Sequence, residues 1–235
     1  FKGDNNKNVR NVVENFEVVP LGHLGSVINY FKNNNVTRAI MAGLVSHRNI
    51  FSKRVSLDSV TADILNSIKD RRADSILGGI AQKLNSSGIE VLELLEFLEK
   101  HLAEKGILTQ RQPTPAENED IQFGFKIAKE ISRNDTGQVL IIKNKCVVAI
   151  ESIEGTDACI KRGAKLAGPG TTVIKVAKLH QDMRFDIPVI GTRTLKIMKR
   201  VKSNSIAVEA QKTCLVDKPE VISTANRYGI SIIGI

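Results

Sequence analysis

The sequence has no tryptophan, only 4% aromatic residues and three cysteines. So few aromatic side chains leave little material for base-stacking platforms, and no block of Lys and Arg or zinc-finger spacing compensates for them, which disfavours a nucleic-acid binder. The cysteines show no metal-type or redox-type spacing, and their odd number argues against a disulfide framework and favours a reducing cytoplasm. No stretch approaches the roughly 18 to 20 apolar residues of a membrane-spanning helix, so we do not expect this chain to be an integral membrane protein.

What the chain does contain is enough apolar material for a core and an excess of positive charge. Its 235 residues, 42% of them hydrophobic, suffice for one large domain or two modest ones. The formal net charge of +9 favours polyanions, acidic membrane surfaces or phosphorylated substrates without selecting among them. The four histidines show no ligand spacing, which disfavours a zinc site. Because the first residue is Phe1 and no signal-peptide pattern follows it, we expect a longer protein that begins ahead of this chain.

The first region alternates short apolar runs with segments of helical periodicity. We predict helices over residues 24–33, 60–69, 75–86 and 94–105, and strands over residues 38–42 and 89–92. Strands that alternate with helices through Gly-marked turns are typical of an α/β layer built on a parallel sheet. Residues 109–120 then hold two prolines and few apolar residues, and we place a linker at 111–120.

The second region predicts a further α/β domain, over residues 121–235. Its predicted helices cover residues 120–132, 192–202 and 218–228, the last with Asp217 as its cap. Apolar runs at 139–142 and 146–150, separated by Lys-Asn-Lys, predict a β-hairpin. Further strands are predicted over residues 173–177, 206–208 and 230–233.

A short acidic turn follows the second run of the hairpin. It consists of Glu154, Gly155, Thr156 and Asp157. N–H groups released by a glycine turn at the carboxyl end of a strand can cradle a phosphate, and the acids can hold a divalent cation. The alternative is a helix start, in which Thr156 or Asp157 caps a helix over residues 158–165. The pattern alone leaves both interpretations open.

A denser cluster follows the strand predicted over residues 173–177. It contains Lys178, Gln181, Asp182, Arg184 and Asp186. In an irregular loop both aspartates can reach one magnesium or manganese ion, which favours a few carboxylates together with substrate phosphate oxygens. Arg184 and Lys178 would then donate to the phosphate oxygens, and the metal would polarise the phosphoryl group. The alternative is a salt-bridged surface turn, which the spacing alone slightly favours.

Two other stretches carry weaker signals. Residues 135–138 (Asp-Thr-Gly-Gln) read as an ordinary turn before a strand, notable only because Gln138 lies at the expected sheet edge. Residues 163–170 are glycine-rich but match neither the P-loop nor the dinucleotide fingerprint. No Ser or Cys lies in a nucleophile-elbow pattern, which disfavours covalent acyl chemistry.

Taken together, these motifs resemble the UDP-2,3-diacylglucosamine pyrophosphatases of the alphaproteobacterial lipid A pathway. The resemblance is carried by residues 135–138, 148–151 (Val-Ala-Ile-Glu), 154–157, 175–178 (Lys-Val-Ala-Lys), 181–188 (Gln-Asp-Met-Arg-Phe-Asp-Ile-Pro), 206–210 and 229–235. In the first region, residues 20–25 (Pro-Leu-Gly-His-Leu-Gly) and 41–43 (Met-Ala-Gly) are also similar to the family. Leu179 departs from the pattern, since the family usually has proline there.

The resemblance implies hydrolysis of the diphosphate of UDP-2,3-diacylglucosamine to lipid X and UMP, with magnesium or manganese as cofactor. It implies a Rossmann-like domain over residues 1–110, lacking its start here, and a mixed-sheet catalytic domain over 121–235, with the substrate between them. Asp182 is the first choice for the catalytic or metal-binding residue and Asp186 the second, with Arg184 beside them. Glu154 and Asp157 are further metal ligands, and Gln181, Lys178, Thr156, Gly155 and Gln138 are expected to bind substrate.

The expected setting follows from the same resemblance. A basic, cysteine-poor α/β protein suits an anionic, lipid-linked nucleotide, so we expect a cytoplasmic enzyme in peripheral contact with the inner face of the inner membrane. A homodimer is a further expectation that no residue pattern specifies. The competing hypothesis is a non-catalytic module that binds anionic lipids or nucleotides through its basic surface.

Overall fold

The structure is a computed structural model that describes residues 7–43, 55–70, 72–133, 136–179, 182–184 and 186–235. Helices and a mixed sheet make it an α/β protein, as predicted. The described residues up to Leu94, together with residues 182–184, form one compact unit, and the remaining residues from Leu95 onward form a second. None of the described helices combines the length and apolar character needed to cross a membrane.

The first unit contains three α-helices and two short strands among its described residues. They are α1 (Leu24–Asn33), β1 (Arg38–Ala39), α2 (Ser59–Ser67), α3 (Ala73–Ser86) and β2 (Glu90–Val91), after a 3₁₀ turn at Lys7–Asn11. β1 and β2 pair in parallel, as expected of two strands joined through helices. The predicted strands 38–42 and 89–92 are therefore present but shorter. Their core is built from helix positions such as Leu24, Ile64 and Leu84.

Asp58 fixes the beginnings of two helices in this unit. Its carboxylate accepts hydrogen bonds from the N–H of Thr61 in α2, at 2.8 Å, and of Gly25 in α1, at 2.7 Å. Thr61 in turn accepts a hydrogen bond from the N–H of Leu24 through its hydroxyl, at 3.0 Å. One acidic side chain thus satisfies helix-terminal N–H groups of two elements that are far apart in sequence.

The second unit is built on a six-stranded sheet. Its elements are α4 (Leu95–Leu98), β3 (Gly106–Ile107), α5 (Pro115–Ser132), β4 (Val139–Lys143), β5 (Cys146–Ile150), α6 (Thr156–Ala167), β6 (Thr172–Lys175), β7 (Val189–Ile190), α7 (Thr192–Val201), β8 (Ser205–Val208), β9 (Cys214–Leu215), α8 (Lys218–Tyr228) and β10 (Ser231–Gly234). The strand order is β3-β10-β8-β6-β4-β5, in which β10, β8 and β6 are parallel and the other pairs antiparallel. β7 and β9 form a separate parallel pair. The predicted mixed sheet and its 139–150 hairpin are confirmed.

Helices cover both faces of this sheet. α5 packs its Ile121 and Ala128 against side chains of β4, β6 and β8 on one face. On the other face, residues of α6, α7 and α8, such as Ile160, Leu195 and Val221, pack against the same strands. All four residues of β6 are buried, and its Val173 and Ile174 belong to the cores on opposite faces of the sheet.

Two predicted elements differ from the structure. The helix predicted over 94–105 is limited to α4 and a 3₁₀ turn at Glu99–His101, because Leu102 and Ala103 pair with backbone groups of Cys214 and Thr213 instead. Helix α5 begins at Pro115, ahead of the predicted start at residue 120, so it includes the second half of the segment predicted as a linker. Thr114 and Glu117 explain the earlier start, because they form a reciprocal capping box.

Candidate functional site at the carboxyl edge of the sheet

Four strands of the large sheet (β5, β6, β8 and β10) end at one edge, and the first three each place a charged residue there. Glu151 follows β5, Lys175 closes β6 and Glu209 follows β8. β4 begins at the same edge, because it runs antiparallel to β5 and β6. The carboxyl edge of parallel strands is the usual location of binding sites in α/β sheets. All three side chains belong to residues that are less than a tenth exposed.

Lys175 is the cation at the centre of this edge. The residue is 7% exposed, and its ammonium donates a hydrogen bond to the hydroxyl of Thr156 at 3.2 Å. Burial lowers the pKa of Lys175, while the charges of Glu151, Asp186 and Asp157 oppose that shift. A buried ammonium that keeps its charge needs anions nearby, because desolvation disfavours the charged form.

Glu151 connects Lys175 and Thr156 to the start of β4. One carboxylate oxygen accepts a hydrogen bond from the hydroxyl of Thr156 at 2.8 Å, and the other accepts one from the backbone N–H of Gln138 at 3.1 Å. A Cβ at Gly137 would overlap the backbone carbonyl of Glu151, so this turn requires glycine. The motif at 136–138 therefore shapes the edge through its backbone.

Helix α6 begins at the same place. It starts at Thr156, after Gly155 with a φ of +81°, and Gly155 has no side chain with which to cap the first turn. The helix-start interpretation of the acidic turn is thus confirmed, although Gly155 occupies the cap position in place of Thr156 or Asp157. Asp157, in the first turn, pairs with Arg193 of α7 at 2.7 Å. The first-turn N–H groups carry the positive end of the helix dipole, which favours an anion there.

Glu154 contacts helix α6, which begins two residues after it. Arg162 of α6 donates a hydrogen bond to a carboxylate oxygen of Glu154, at an N···O distance of 2.5 Å. This hydrogen bond lowers the pKa of Glu154. Its other oxygen accepts the backbone N–H of Ser152 at 3.1 Å. These contacts stabilise the turn between β5 and α6.

The second predicted cluster is divided between the two compact units. Within the second unit Lys178 pairs with Asp186 at 3.3 Å. Within the first, Arg184 holds Asp182 through two nitrogens, with Nε 2.9 Å from Oδ1 and a terminal nitrogen 2.6 Å from Oδ2. Hydrogen bonding from Arg184 lowers the pKa of Asp182. Gln181, predicted to bind substrate, lies outside the described residues, as does Asp135.

The residues predicted to hold a metal are engaged with four different cations. Asp182 contacts Arg184, Asp186 contacts Lys178, Glu154 contacts Arg162 and Asp157 contacts Arg193. In the part of the chain that the structure describes, no group of three or more His, Cys, Asp or Glu side chains could hold a metal ion. The described carboxylates therefore do not form a metal cage of protein ligands, and the metal stays a prediction.

A further network lies beside this edge. Glu209 accepts hydrogen bonds from Lys129 of α5 at 2.9 Å, from Lys212 at 2.8 Å and from the N–H of Ala177 at 3.0 Å. Lys129 also donates to the carbonyl oxygen of Ala177 at 2.9 Å. The backbone N–H and the carbonyl oxygen of Ala177, the residue before Lys178, are therefore both held by hydrogen bonds.

Sequence reasoning assigned no site role to Lys175, Glu151, Glu209 or Lys129. Lys175 interrupts an apolar strand and Glu209 directly follows one, and a charge at such a position is a usable signal because lone charges are rarely buried. Lys129 gave no signal, since a lysine in an amphipathic helix is normally exposed.

Fold and site together define an α/β protein whose main sheet presents a buried cation and an uncapped helix N-terminus at its carboxyl edge. The sequence matches the LpxI N-terminal domain model over residues 1–101 and the LpxI C-terminal domain model over residues 104–233. The chain therefore belongs to the LpxI family.

The chain is also similar to two individual proteins. It is 30% identical over 170 residues to the UDP-2,3-diacylglucosamine pyrophosphatase LpxI of Caulobacter vibrioides, an alignment that covers 69% of this chain and 61% of that protein. It is also similar to the bifunctional purine biosynthesis protein PurH of Clostridium acetobutylicum, at 25% identity over 190 residues, 78% of this chain and 35% of that protein. The chain thus spans less than two thirds of the length of either relative.

Proposed function

We propose that this protein hydrolyses the diphosphate of UDP-2,3-diacylglucosamine, releasing UMP and 2,3-diacylglucosamine 1-phosphate (lipid X) for lipid A biosynthesis. The observation that carries the proposal is the match of both LpxI domain models, which together cover nearly the whole chain. The relative in Caulobacter vibrioides bears the name of this activity. The carboxyl edge of the sheet supports it, because a diphosphate is an anion of the kind that such an edge can receive.

Several residues would bind or orient groups around the substrate through N–H donors or a positive charge. Gly155 and Thr156 would present the first-turn N–H groups of α6 to a phosphate oxygen, and Lys178 would add a cation after β6. Gln138 would contribute by orienting Glu151 through its backbone N–H, and Gln181 completes the proposed set. Positively charged and N–H donors aimed at phosphate oxygens stabilise the charge that develops during phosphoryl transfer.

Asp182 is the proposed catalytic carboxylate, with Asp186 as second choice. Because Arg184 lowers the pKa of Asp182, this group is ionised near neutral pH and is a weak proton acceptor. It is therefore better suited to attract a cation or orient a water than to act as a strong general base. Arg184 would hold the carboxylate in one orientation through its paired hydrogen bonds.

A divalent cation, magnesium or manganese, is proposed to arrive with the substrate. Mg²⁺ commonly binds one or two carboxylates together with substrate phosphates, so it does not require the cage of ligands that the described residues lack. Asp182, Asp186, Glu154 and Asp157 are the candidate carboxylates. Such an ion would supply charge neutralisation at the phosphate oxygens.

The proposal extends to the setting of the enzyme. We propose a cytoplasmic enzyme in peripheral contact with the inner face of the inner membrane. The net charge of +9 supports this setting, because the anionic membrane surface attracts a basic protein to its lipid-linked substrate. We further propose that the first unit is a Rossmann-like domain, which its parallel β1–β2 pair and flanking helices support. A homodimer completes the proposal.

The decisive experiment is to incubate the protein and UDP-2,3-diacylglucosamine with magnesium or manganese and to quantify UMP. Release of UMP and lipid X that excess chelator stops is the expected result. Steeply salt-dependent binding without UMP release would support the non-catalytic lipid or nucleotide module instead. Full activity in chelator would refute the metal requirement alone.

A further inference from the structure

Lys175 is a buried cation with one direct hydrogen-bond partner among the residues that the structure describes. Its ammonium has three N–H donors, and among the described residues the Thr156 hydroxyl is its one hydrogen-bond acceptor. In the same part of the chain no carboxylate lies within 4.0 Å of it. Most buried lysines are paired, because an isolated charge is costly to remove from water.

The carboxylates that attract Lys175 from farther away are held by other groups. Asp157 pairs with Arg193, and Asp186 pairs with Lys178. Glu151 accepts hydrogen bonds from Thr156 and from the N–H of Gln138. The ammonium therefore keeps unused donors at a site where each nearby acid already has a partner.

The position of this ammonium adds a second feature. Thr156, which it contacts, is the first residue of α6, so the cation lies at the N-terminus of that helix. The cap residue there is Gly155, which has no side chain to occupy the first-turn N–H groups. A buried cation and uncapped N–H groups together favour a compact, multiply charged oxyanion.

We propose that Lys175 and the first turn of α6 form a subsite for one phosphoryl group of a diphosphate. In this subsite Lys175 donates directly to phosphate oxygens, and the Thr156 hydroxyl orients the ammonium. The proposal deepens the proposed function, on which it rests for the identity of the diphosphate. It assigns to the middle of the sheet a binding residue beyond those of the 178–186 segment.

Pyrophosphate is the probe, and its binding is measured by calorimetry on the full chain at fixed ionic strength. Lys175→Met removes the charge and preserves most of the volume, and it also removes the cost of keeping an ammonium away from water when no carboxylate of the described residues lies within 4.0 Å. Lys165→Met is the matched control, because Lys165 is an exposed residue in the last turn of the same helix. Thr156→Val removes only the hydroxyl.

The expected result is a loss of about tenfold or more in pyrophosphate affinity for Lys175→Met, with a wild-type melting temperature. Thr156→Val should show a smaller loss, and Lys165→Met should bind like the wild type. Wild-type affinity in Lys175→Met, or equal weakening by Lys175→Met and Lys165→Met, would overturn the subsite. No pyrophosphate binding by the wild-type chain would overturn it as well.

The same variants separate this subsite from the proposed function. If the wild type releases UMP but pyrophosphate binds independently of Lys175, the hydrolase stands and the subsite fails. If pyrophosphate binding depends on Lys175 and no UMP is released, the subsite stands and the hydrolase fails. Should Lys175→Met melt at a lower temperature, Thr156→Val decides, because unchanged affinity in that variant contradicts the proposed geometry.

Discussion

Lys129 donates hydrogen bonds to both carboxylate oxygens of Glu209, at 3.2 and 2.9 Å, and so joins helix α5 to the end of β8. The two side chains are 22% and 10% exposed. Burial raises the pKa of Glu209, but hydrogen bonds from Lys212, Lys129 and Ala177 outweigh it and lower the pKa overall. The pair therefore holds the backbone at Ala177 from both sides, next to the segment that carries Lys178.

Removal of Glu209 should destabilise the second unit strongly. Glu209→Gln leaves the partly buried Lys129 without a charged partner, for which we expect a loss on the order of 3 kcal/mol in the free energy of unfolding. Urea denaturation measures it. Glu119→Gln is the matched control, because it breaks the exposed pair with Lys145 and should leave the unfolding midpoint unchanged.

The coupling between the two residues can be measured directly. In a cycle of Lys129→Met, Glu209→Gln and the double variant, the double variant should be more stable than the sum of single losses predicts, by about 1 to 3 kcal/mol. Additive losses would show that the contact contributes nothing beyond the two side chains themselves.

Asp182→Ala should abolish UMP release while substrate still binds. A carboxylate that acts mainly in the transition state affects turnover more than affinity, so we expect kcat to fall by about 100-fold or more at little change in KM. Asp186→Ala is the comparison, and it should lose less activity. A larger loss of activity in Asp186→Ala than in Asp182→Ala would make Asp186 the better candidate for the catalytic carboxylate.

Asp58 should make the first unit sensitive to acid. Burial raises the pKa of its carboxyl group, but hydrogen bonds from Thr61 and Gly25 lower it below the ordinary value of 3.8. A lowered folded-state pKa means that the contribution to stability is complete above that ordinary value. It is lost as the pH falls through the lowered pKa.

Asp58→Asn tests this assignment by calorimetry from pH 2 to 7. At neutral pH the variant should be destabilised by about 1 kcal/mol, because the amide replaces a charged cap on two helices. Its stability should also fall less steeply in acid than that of the wild type. Parallel acid profiles would contradict the role given to Asp58.

The three thiols should react unequally. Cys146 is exposed, whereas Cys159 and Cys214 are buried. Burial, together with the charge of Glu151, raises the pKa of Cys159 to about 12, and burial raises the pKa of Cys214. Since the thiolate is the reactive form, one thiol per chain should react with Ellman's reagent in native protein and three in denaturant. Native Cys146→Ser should show none.

Elements with strong local signals could be predicted from the sequence. The hairpin over residues 139–150 and the helix Thr192–Val201 follow from apolar periodicity and turn composition, which local chemistry sets. The helix predicted over 94–105 failed because its leucines fit a helical spacing, whereas Leu102 and Ala103 are drawn into pairing with a distant segment. Long-range pairing of this kind leaves no trace in local periodicity.

The candidate site likewise combines features that local sequence predicts with features that depend on long-range packing. The positions of Glu154, Asp157 and the 178–186 segment after apolar strands made them candidates for a site, because a strand end delivers side chains to a sheet edge. Their partners could not be predicted, since Arg193 and Arg162 belong to helices whose orientation only packing determines. Asp217 is predicted to cap α8 and does occupy the cap position. Its backbone is in the left-handed region, however, and its side chain makes no capping hydrogen bond.

Composition, periodicity and short motifs are properties of the chain, and they were enough to indicate the α/β class, the family and the acidic motifs. The burial of Lys175 at the N-terminus of α6, with a hydroxyl as its partner, results from tertiary packing. The position of Lys175 within an apolar stretch signals burial, but no local pattern identifies its neighbours. Its surroundings arise when β4, β5 and β6 align and bring Gln138, Glu151 and Thr156 together from separate parts of the chain.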